Sequence, residues 1–406
     1  MNIDILNERP PRLDRLQLAA LVGLMLLGTA FIYSARLAIA STATAPWYGQ
    51  NWFRQLVWYV LGAGVGAVCC LADYRVLARW AMVVYWVSIL PLVAVLVPGI
   101  GTTHGWGAMR WIDLAFFQFQ PSEFAKLSFI LAQAHFLSRP PDELRLPSIF
   151  LKSLGLLLLP FVLIMKEPDL GSALVLLPTG FLMMYVAGIP RLYLARLLAA
   201  TAILGALFLV DVLLLPQNWQ IKMQDYQRRR LMVYFGRDYS AAAPAGASRA
   251  ERERLRKLEF DDSHNVRQAL ISVGSGGLTG KGWQRGTQKA LGYLPPTVAH
   301  NDFIFSVLAE EEGFAGSVTV LTLYGIILFT GIRIAGQARD RLGKLLAAGV
   351  VALVFSHVFT NIGMNIRIMP VTGVPLPLLS YGGSSVLGSL IAMGWLQNVY
   401  MYRKAY

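Results

Sequence analysis

Apolar stretches long enough to cross a hydrocarbon core of about 30 Å, roughly 17 to 25 residues each, recur along the chain. They fall near residues 16–38, 53–72, 77–98, 121–138, 149–166, 171–189, 192–215, 302–332, 344–364 and 383–402. Each reads as a membrane-crossing helix, so the pattern predicts an all-α polytopic membrane protein with about ten transmembrane helices. One helical bundle in lipid absorbs all of residues 1–406 without a separate aqueous core, and a single membrane domain is expected. Small residues such as Ala38 and Ala40 follow the first run, as after a cleavable signal. Its apolar core is too long for a typical signal sequence, which favours a retained signal-anchor.

The polar intervals orient the bundle. With a cytoplasmic start, the loops assigned inside hold Arg75 and Arg79, Arg139 and Arg145, Arg191 and Arg196, and Arg339, Arg341 and Lys344, and the tail adds Arg403 and Lys404. The short loops assigned outside hold chiefly Arg36, Arg54, Arg110, Lys166 and Arg367, so the asymmetry follows the positive-inside rule with both termini cytoplasmic. Residues 216–301 between the seventh and eighth runs form one long extracytoplasmic loop. Long translocated segments escape that rule. Within it, Ser240 to Ser248 reads as an Ala, Pro and Gly tether, and Arg249 to Lys257 alternates charge at helical spacing, as a solvated helix or a surface for anionic lipid would.

Composition narrows the function classes. Hydrophobic residues make up 55% of the chain and charged residues 15%, well under the roughly 25% of soluble domains. The net charge of +13 is explained by orientation in the membrane, and a nucleic-acid partner is not expected. Cys69 and Cys70 are adjacent inside an apolar run and fit neither a disulfide framework nor zinc-ligand spacing.

Ionisable residues at membrane depth are costly and mark functional candidates. QPSEFAKL at 120–127 places Glu123 and Lys126 at i,i+3, either as a self-neutralising ion pair or as a seat for an anionic head group. KEPDLGSA at 166–173 brings Lys166, Glu167 and Asp169 to the same membrane side. Pro168 is expected to turn Glu167 out of the helical region and Gly171 to permit a tight re-entry. GSGGLTGKGWQRGTQ at 274–288 offers backbone amides, Lys281 and Arg285 to a phosphate. It lacks the leading glycine and hydroxyl of a Walker A loop, and a flexible surface loop explains it as well. His300-Asn301-Asp302 precedes the eighth run, where Asp302 can act as a general base or cap the helix. His357, Asn361 and Asn365 form a polar stripe suited to hydrogen bonding between helices, and VTGVPLPLLSYGGSS at 371–385 is irregular backbone suited to a cavity wall.

Taken in order, GAMRWIDL with QPSEFAKL, EPDLGSA, VGSGGLTGKGWQRGTQ, HNDFIFSVLAEEEGFAG and TGVPLPLLSYGGSS resemble the signature segments of the SEDS family (shape, elongation, division and sporulation) over essentially the whole chain. GKG with GTQ, and DFIF followed by VLAEE, resemble its elongation branch, RodA. The chain departs from the family pattern in LPPTVAHNDF, which lacks a Glu, has Asn301 where Thr is usual and carries two more residues before His300. Ser172 stands for a usual Thr, and Tyr234 to Asp262 matches no family segment.

The resemblance implies a peptidoglycan glycosyltransferase that polymerises lipid II, the undecaprenyl-pyrophosphate-linked disaccharide pentapeptide, on the outer face of the bacterial cytoplasmic membrane during elongation and shape maintenance. It implies Asp302 as the catalytic residue, with Glu123, Lys126 and Asp169 as conserved partners; Arg110, Glu167, Lys281, Gln288 and His300 join them as expected substrate-binding residues. A class B penicillin-binding protein (a transpeptidase) and other elongation-complex proteins are the expected partners. A divalent cation is a candidate cofactor that no ligand cluster compels. The competing readings are a lipid II flippase and a non-catalytic scaffold for the transpeptidase.

Overall fold

The computed structural model describes residues 13–36, 46–102, 109–114, 117–214, 225–236, 248–294 and 299–404. The expected tether falls on 240–247, outside the described residues. A helix lies over each of the ten apolar runs: α1 (Arg15–Arg36), α2 (Asn51–Leu71), α3 (Tyr74–Arg79) continuing into α4 (Ala81–Val95), α5 (Pro121–Leu137), and, after the short α6 (Pro141–Leu144), α7 (Pro147–Lys166). The series continues with α8 (Leu170–Ala187) and α9 (Arg191–Leu214). The long loop contributes α10 (Asp225–Tyr234), α11 (Arg249–Ser275) and α12 (Thr287–Ala290), and the chain then forms α13 (Ile304–Gln337), α14 (Arg341–Asn365) and α15 (Gly383–Met401). A two-stranded antiparallel hairpin, β1 (Ile112–Leu114) with β2 (Phe117–Phe119), precedes α5.

The chain is thus a mainly helical multi-span membrane protein, with seven of the described helices long and apolar enough to cross a bilayer. α4 is apolar but shorter. α5 and α15 bury polar side chains, among them Glu123, Lys126, Gln133, Gln397 and Asn398. The most enclosed helix is α14, packed against α13, α8, α5 and α15. A helix surrounded in this way must satisfy its polar groups internally, and that places its His357–Asn361–Asn365 stripe at the centre of the molecule.

The first and last described residues lie at one end of the bundle. Asp14 pairs with Arg333 near the end of α13, and its backbone N–H donates to Gln397 Oε1 of α15 at 2.8 Å. Arg75 joins the same end through Asp340 at 2.9 Å. At the opposite end the polar loops close over the start of α13.

That start contains an interrupted helix. Gly313 adopts φ 65°, ψ −156° inside α13, which breaks the hydrogen-bond ladder. The segment 277–282 fills the break. Lys281 and Gly282 N–H donate to the Glu310 and Glu311 carbonyls at 3.0 and 2.9 Å, while Phe314 and Ala315 N–H donate to Gly277 and Leu278 at 2.8 and 3.1 Å. The glycines are needed for the approach: a Cβ on Gly280 would stand 2.0 Å from the Glu311 carbonyl oxygen, and one on Gly313 would stand 2.3 Å from Gly280 N. Four backbone groups that a break would orphan are paired, each of which would cost about 1–3 kcal/mol if left buried and unpaired.

Candidate active site

Asp302 lies just ahead of α13 and does not cap it. The N-cap is Phe303, without a side-chain cap bond, and the first ladder contact runs from Val307 N to Phe303 O. The capping reading therefore fails, and the Asp302 carboxylate is turned toward the 371–375 segment. A Cβ on Gly373, whose φ is +73°, would lie 3.6 Å from Asp302 Oδ2 and 4.0 Å from both Arg110 Nη1 and Arg230 Nη1. One carboxylate and two guanidinium groups thus converge on Gly373, whose positive φ favours glycine. Burial pushes the Asp302 carboxyl above its ordinary range, and Arg230 and Arg110 partly oppose this.

The neighbouring turn supplies two more carboxyl groups. Asp169 caps α8 by accepting from Ser172 N at 3.1 Å, accepts from Gln120 Nε2 at 3.3 Å, and stands 3.9 Å from Arg110 Nη1. Arg110 also donates from Nη2 to the Pro168 carbonyl at 2.5 Å. Glu167 is fully buried, and neither of its oxygens finds a hydrogen-bond partner among the described residues. Burial, then Asp169, push its carboxyl up to about 9. The turn departs from expectation in two respects. Glu167 stays near the helical region, at φ −76° and ψ 14°, as the C-cap of α7. Gly171 lies inside α8 and permits close packing, since a Cβ there would meet Val374 Cγ2 at 2.5 Å and the Thr372 carbonyl at 2.7 Å.

Asp302 opens onto a cavity of about 1030 Å³ between α2, the β hairpin and the first turn of α15, whose wall includes Gln120, Trp58, Trp111, Tyr381 and Ser384. A space of this size accepts a large ligand, and the wall pairs aromatic faces with polar groups. The irregular segment after α14 forms part of the wall through Gly373, Pro375 and residues 381–385, as its proline and glycine content led one to expect.

The remaining candidates lie around this centre. Glu123 and Lys126 form the expected pair at 2.7 Å, and Lys126 Nζ also lies 2.8 Å from His357 Nε2. Both charges are buried and neither lines the cavity, so the pair stands behind its wall. His300 is buried, with its ring 5.5 Å from that of Tyr381. Lys281 and Gln288 belong to the loop that bridges the break in α13, about two turns along that helix from Asp302. Lys281 Nζ meets Glu310 Oε1 at 2.6 Å, and the same oxygen accepts from the backbone of Thr287 and Gln288 at 2.8 and 3.0 Å. The amides read as open to a phosphate are thus taken by a carboxylate of the chain itself. Glu311 is held in parallel by Ser34, by Gln284 N at 3.0 Å and by Lys289.

Sequence reasoning did not single out Arg230. The run Arg228-Arg229-Arg230 followed by the buried Leu231 and Met232 is the signal, since an arginine cluster beside an apolar anchor marks a docked segment. Among the described residues no three His, Cys, Asp or Glu side chains stand together as a metal-ligand set, and the positive charges facing Asp302 are those of Arg110 and Arg230.

The family model described as cell cycle protein, FtsW/RodA/SpoVE, matches residues 14–405. The chain is 35% identical over 353 residues to the peptidoglycan glycosyltransferase MrdB of Escherichia coli (strain K12), covering 86% of each. Its fold is similar to a chain solved in "Structural coordination of polymerization and crosslinking by a peptidoglycan synthase complex", with a TM-score of 0.72, 27% identity and coverage of 97% of this chain and 99% of that one. The rod shape determining protein RodA of Thermus thermophilus gives a TM-score of 0.63 at 27% identity, covering 97% of this chain and 98% of that one. With the match running through every segment that builds the cavity, the chain belongs to the FtsW/RodA/SpoVE family of cell cycle proteins.

Proposed function

We propose that this chain is a peptidoglycan glycosyltransferase that polymerises lipid II into glycan strands during cell-wall elongation. The observation that carries the reading is the Asp302 carboxylate, set between Arg110 and Arg230 at the edge of a cavity of about 1030 Å³. Asp302 accepts the proton of the acceptor sugar's 4-hydroxyl as that oxygen attacks the anomeric carbon of the growing chain. The new glycosidic C–O bond forms as the bond to undecaprenyl pyrophosphate breaks, and the centre inverts. Negative charge grows on the departing pyrophosphate, where preorganised positive charges act most strongly. Arg110 and Arg230 fill that role; Lys126 is committed to Glu123 and His357. The raised carboxyl of Asp302 makes it a stronger base once ionised and moves the acid limb of activity to higher pH than an ordinary aspartate gives.

The cavity end faces outward from the bacterial cytoplasmic membrane, and both termini are cytoplasmic, in keeping with the basic loops at their end. The whole chain acts as one membrane domain that carries 216–301 as its extracytoplasmic loop. A class B penicillin-binding protein is the partner that would crosslink the product. The test is glycan-strand formation from lipid II in liposomes, with the transpeptidase present. Asp302→Asn keeps the shape and removes the base, so polymerisation is expected to fall at least about 100-fold with insertion and partner binding unchanged. Near wild-type polymerisation by Asp302→Asn would overturn the reading in favour of a flippase or scaffold.

A further inference from the structure

Asp302 sits at the end of a tripeptide whose three carbonyls are each held from another part of the chain. The His300 carbonyl accepts from Tyr381 N at 3.0 Å, and that of Asn301 accepts from Ser380 Oγ at 2.6 Å. The Asp302 carbonyl accepts two side-chain amides of α14, Asn361 Nδ2 at 3.1 Å and Asn365 Nδ2 at 3.0 Å. This carbonyl stands one residue ahead of the first ladder contact of α13, so the amides hold the residue itself and not the helix.

The second hydrogen of each amide is used as well. Asn361 Nδ2 also donates to the Val374 carbonyl at 2.8 Å, next to the Gly373 that meets the Asp302 carboxylate. One amide group therefore fixes the base and the wall against which the base lies. Asn365 Nδ2 donates in addition to the Asn361 carbonyl at 2.8 Å, while its Oδ1 accepts from Ser306 Oγ at 2.5 Å. The Asp302 and Asn361 carbonyls can only accept, which turns the donor end of this amide toward them and leaves its Oδ1 to the Ser306 hydroxyl. Both asparagines are fully buried on the most enclosed helix, the kind of rigid support that fixes a reacting group in place.

We infer that Asn361 and Asn365 are positioning residues for the reaction, setting the Asp302 carboxylate through its own main chain. The inference rests on Asp302 as the general base. A displacement of about 1 Å at a reacting group costs on the order of 100-fold in rate, so loss of the clamp acts on turnover and leaves binding in the cavity alone.

The experiment measures kcat and KM for lipid II polymerisation, with pH profiles and thermal unfolding in detergent, on Asn365→Leu, Asn365→Asp, Asn361→Ser and Asp302→Asn. Asn365→Leu is close in size and donates nothing, and its kcat is expected to fall about 10- to 100-fold with KM within about two-fold of wild type. Asn365→Asp brings a negative charge beside Asp302, and the acid limb of its profile is expected to move to higher pH. A role in folding alone lowers the amount of active protein without moving that limb. Asn361→Ser leaves Asn365 and Ser306 in place, and carries the test if Asn365→Leu does not insert. Wild-type kcat in these variants, or a loss accounted for by unfolding with an unmoved acid limb, overturns the positioning role while Asp302→Asn stays inactive. A fully active Asp302→Asn overturns the base itself.

Discussion

Glu167 shows how much a single residue's setting decides. Its carboxyl is buried without a hydrogen-bond partner among the described residues and is pushed up from 4.5 to about 9, so at neutral pH it holds a proton. Between these two values the folded chain keeps a proton that the unfolded chain has released. Stability contributed by this group is therefore complete below about 4.5 and is lost as the pH rises toward about 9. Glu167→Gln is neutral throughout and removes the loss, so thermal unfolding in detergent should show the variant more stable than wild type at about pH 8.5 and nearly equal at about pH 5. Equal shifts at both values would mean that Glu167 is ionised in the folded protein. The sequence made the charged residues of this turn legible as a group, but not their division of labour. Asp169 finds Ser172, Gln120 and Arg110, whereas Glu167, two residues earlier, makes a hydrogen bond to none of them, and that difference follows from the path of the turn.

At the scale of elements, every helix over an apolar run was legible because bilayer thickness imposes a length and a polarity that no loop shares. The glycine-rich segment was not. Phosphate cradles and helix splints both need glycines that expose backbone amides, and only contacts some thirty residues away distinguish them, here the Glu310 and Glu311 carbonyls facing Lys281 and Gly282. Asp302 directly precedes α13, so the splint steadies the helix that follows the base while the amides of α14 hold the base's own main chain. Gly280→Ala puts a methyl group where only 2.0 Å separates it from the Glu311 carbonyl, at a φ of +77°. It is expected to destabilise the protein by about 2–4 kcal/mol, through a strained backbone and lost loop contacts, and to lower polymerisation with it. Gly274→Ala, at the end of α11 with nothing within 4 Å of an added Cβ, is the matched control and should unfold at or slightly above the wild-type temperature. A Gly280→Ala protein that melts with the control would show that the loop does not brace α13.

For the whole molecule, α13 ties the chemistry to the membrane. Beyond the break at Gly313, residues 314–337 alone extend about 36 Å, more than a hydrocarbon core of about 30 Å, so the broken end next to Asp302 and the Gln337 end lie on opposite sides. The end near Gln337 gathers Asp14 with Arg333, Asp340 with Arg75, and the basic residues of the 339–344 loop and the tail. The end near Asp302 holds Arg54 in the cavity wall and Arg110 and Arg230 beside Asp302, so these arginines have roles at the site. The charge asymmetry is thus carried by the Gln337 end, and it is the ground for the proposal that this end is cytoplasmic and Asp302 lies outside. Single cysteines at the exposed Ser248 and Gln337, in a chain with Cys69 and Cys70 replaced by alanine, test this with an impermeant thiol reagent on intact spheroplasts. Ser248→Cys should react at once and Gln337→Cys only after lysis. The reverse pattern would put Asp302 on the cytoplasmic side, where lipid-linked disaccharide has not yet crossed the membrane, and a polymerase acting on the outer face would then have to be given up.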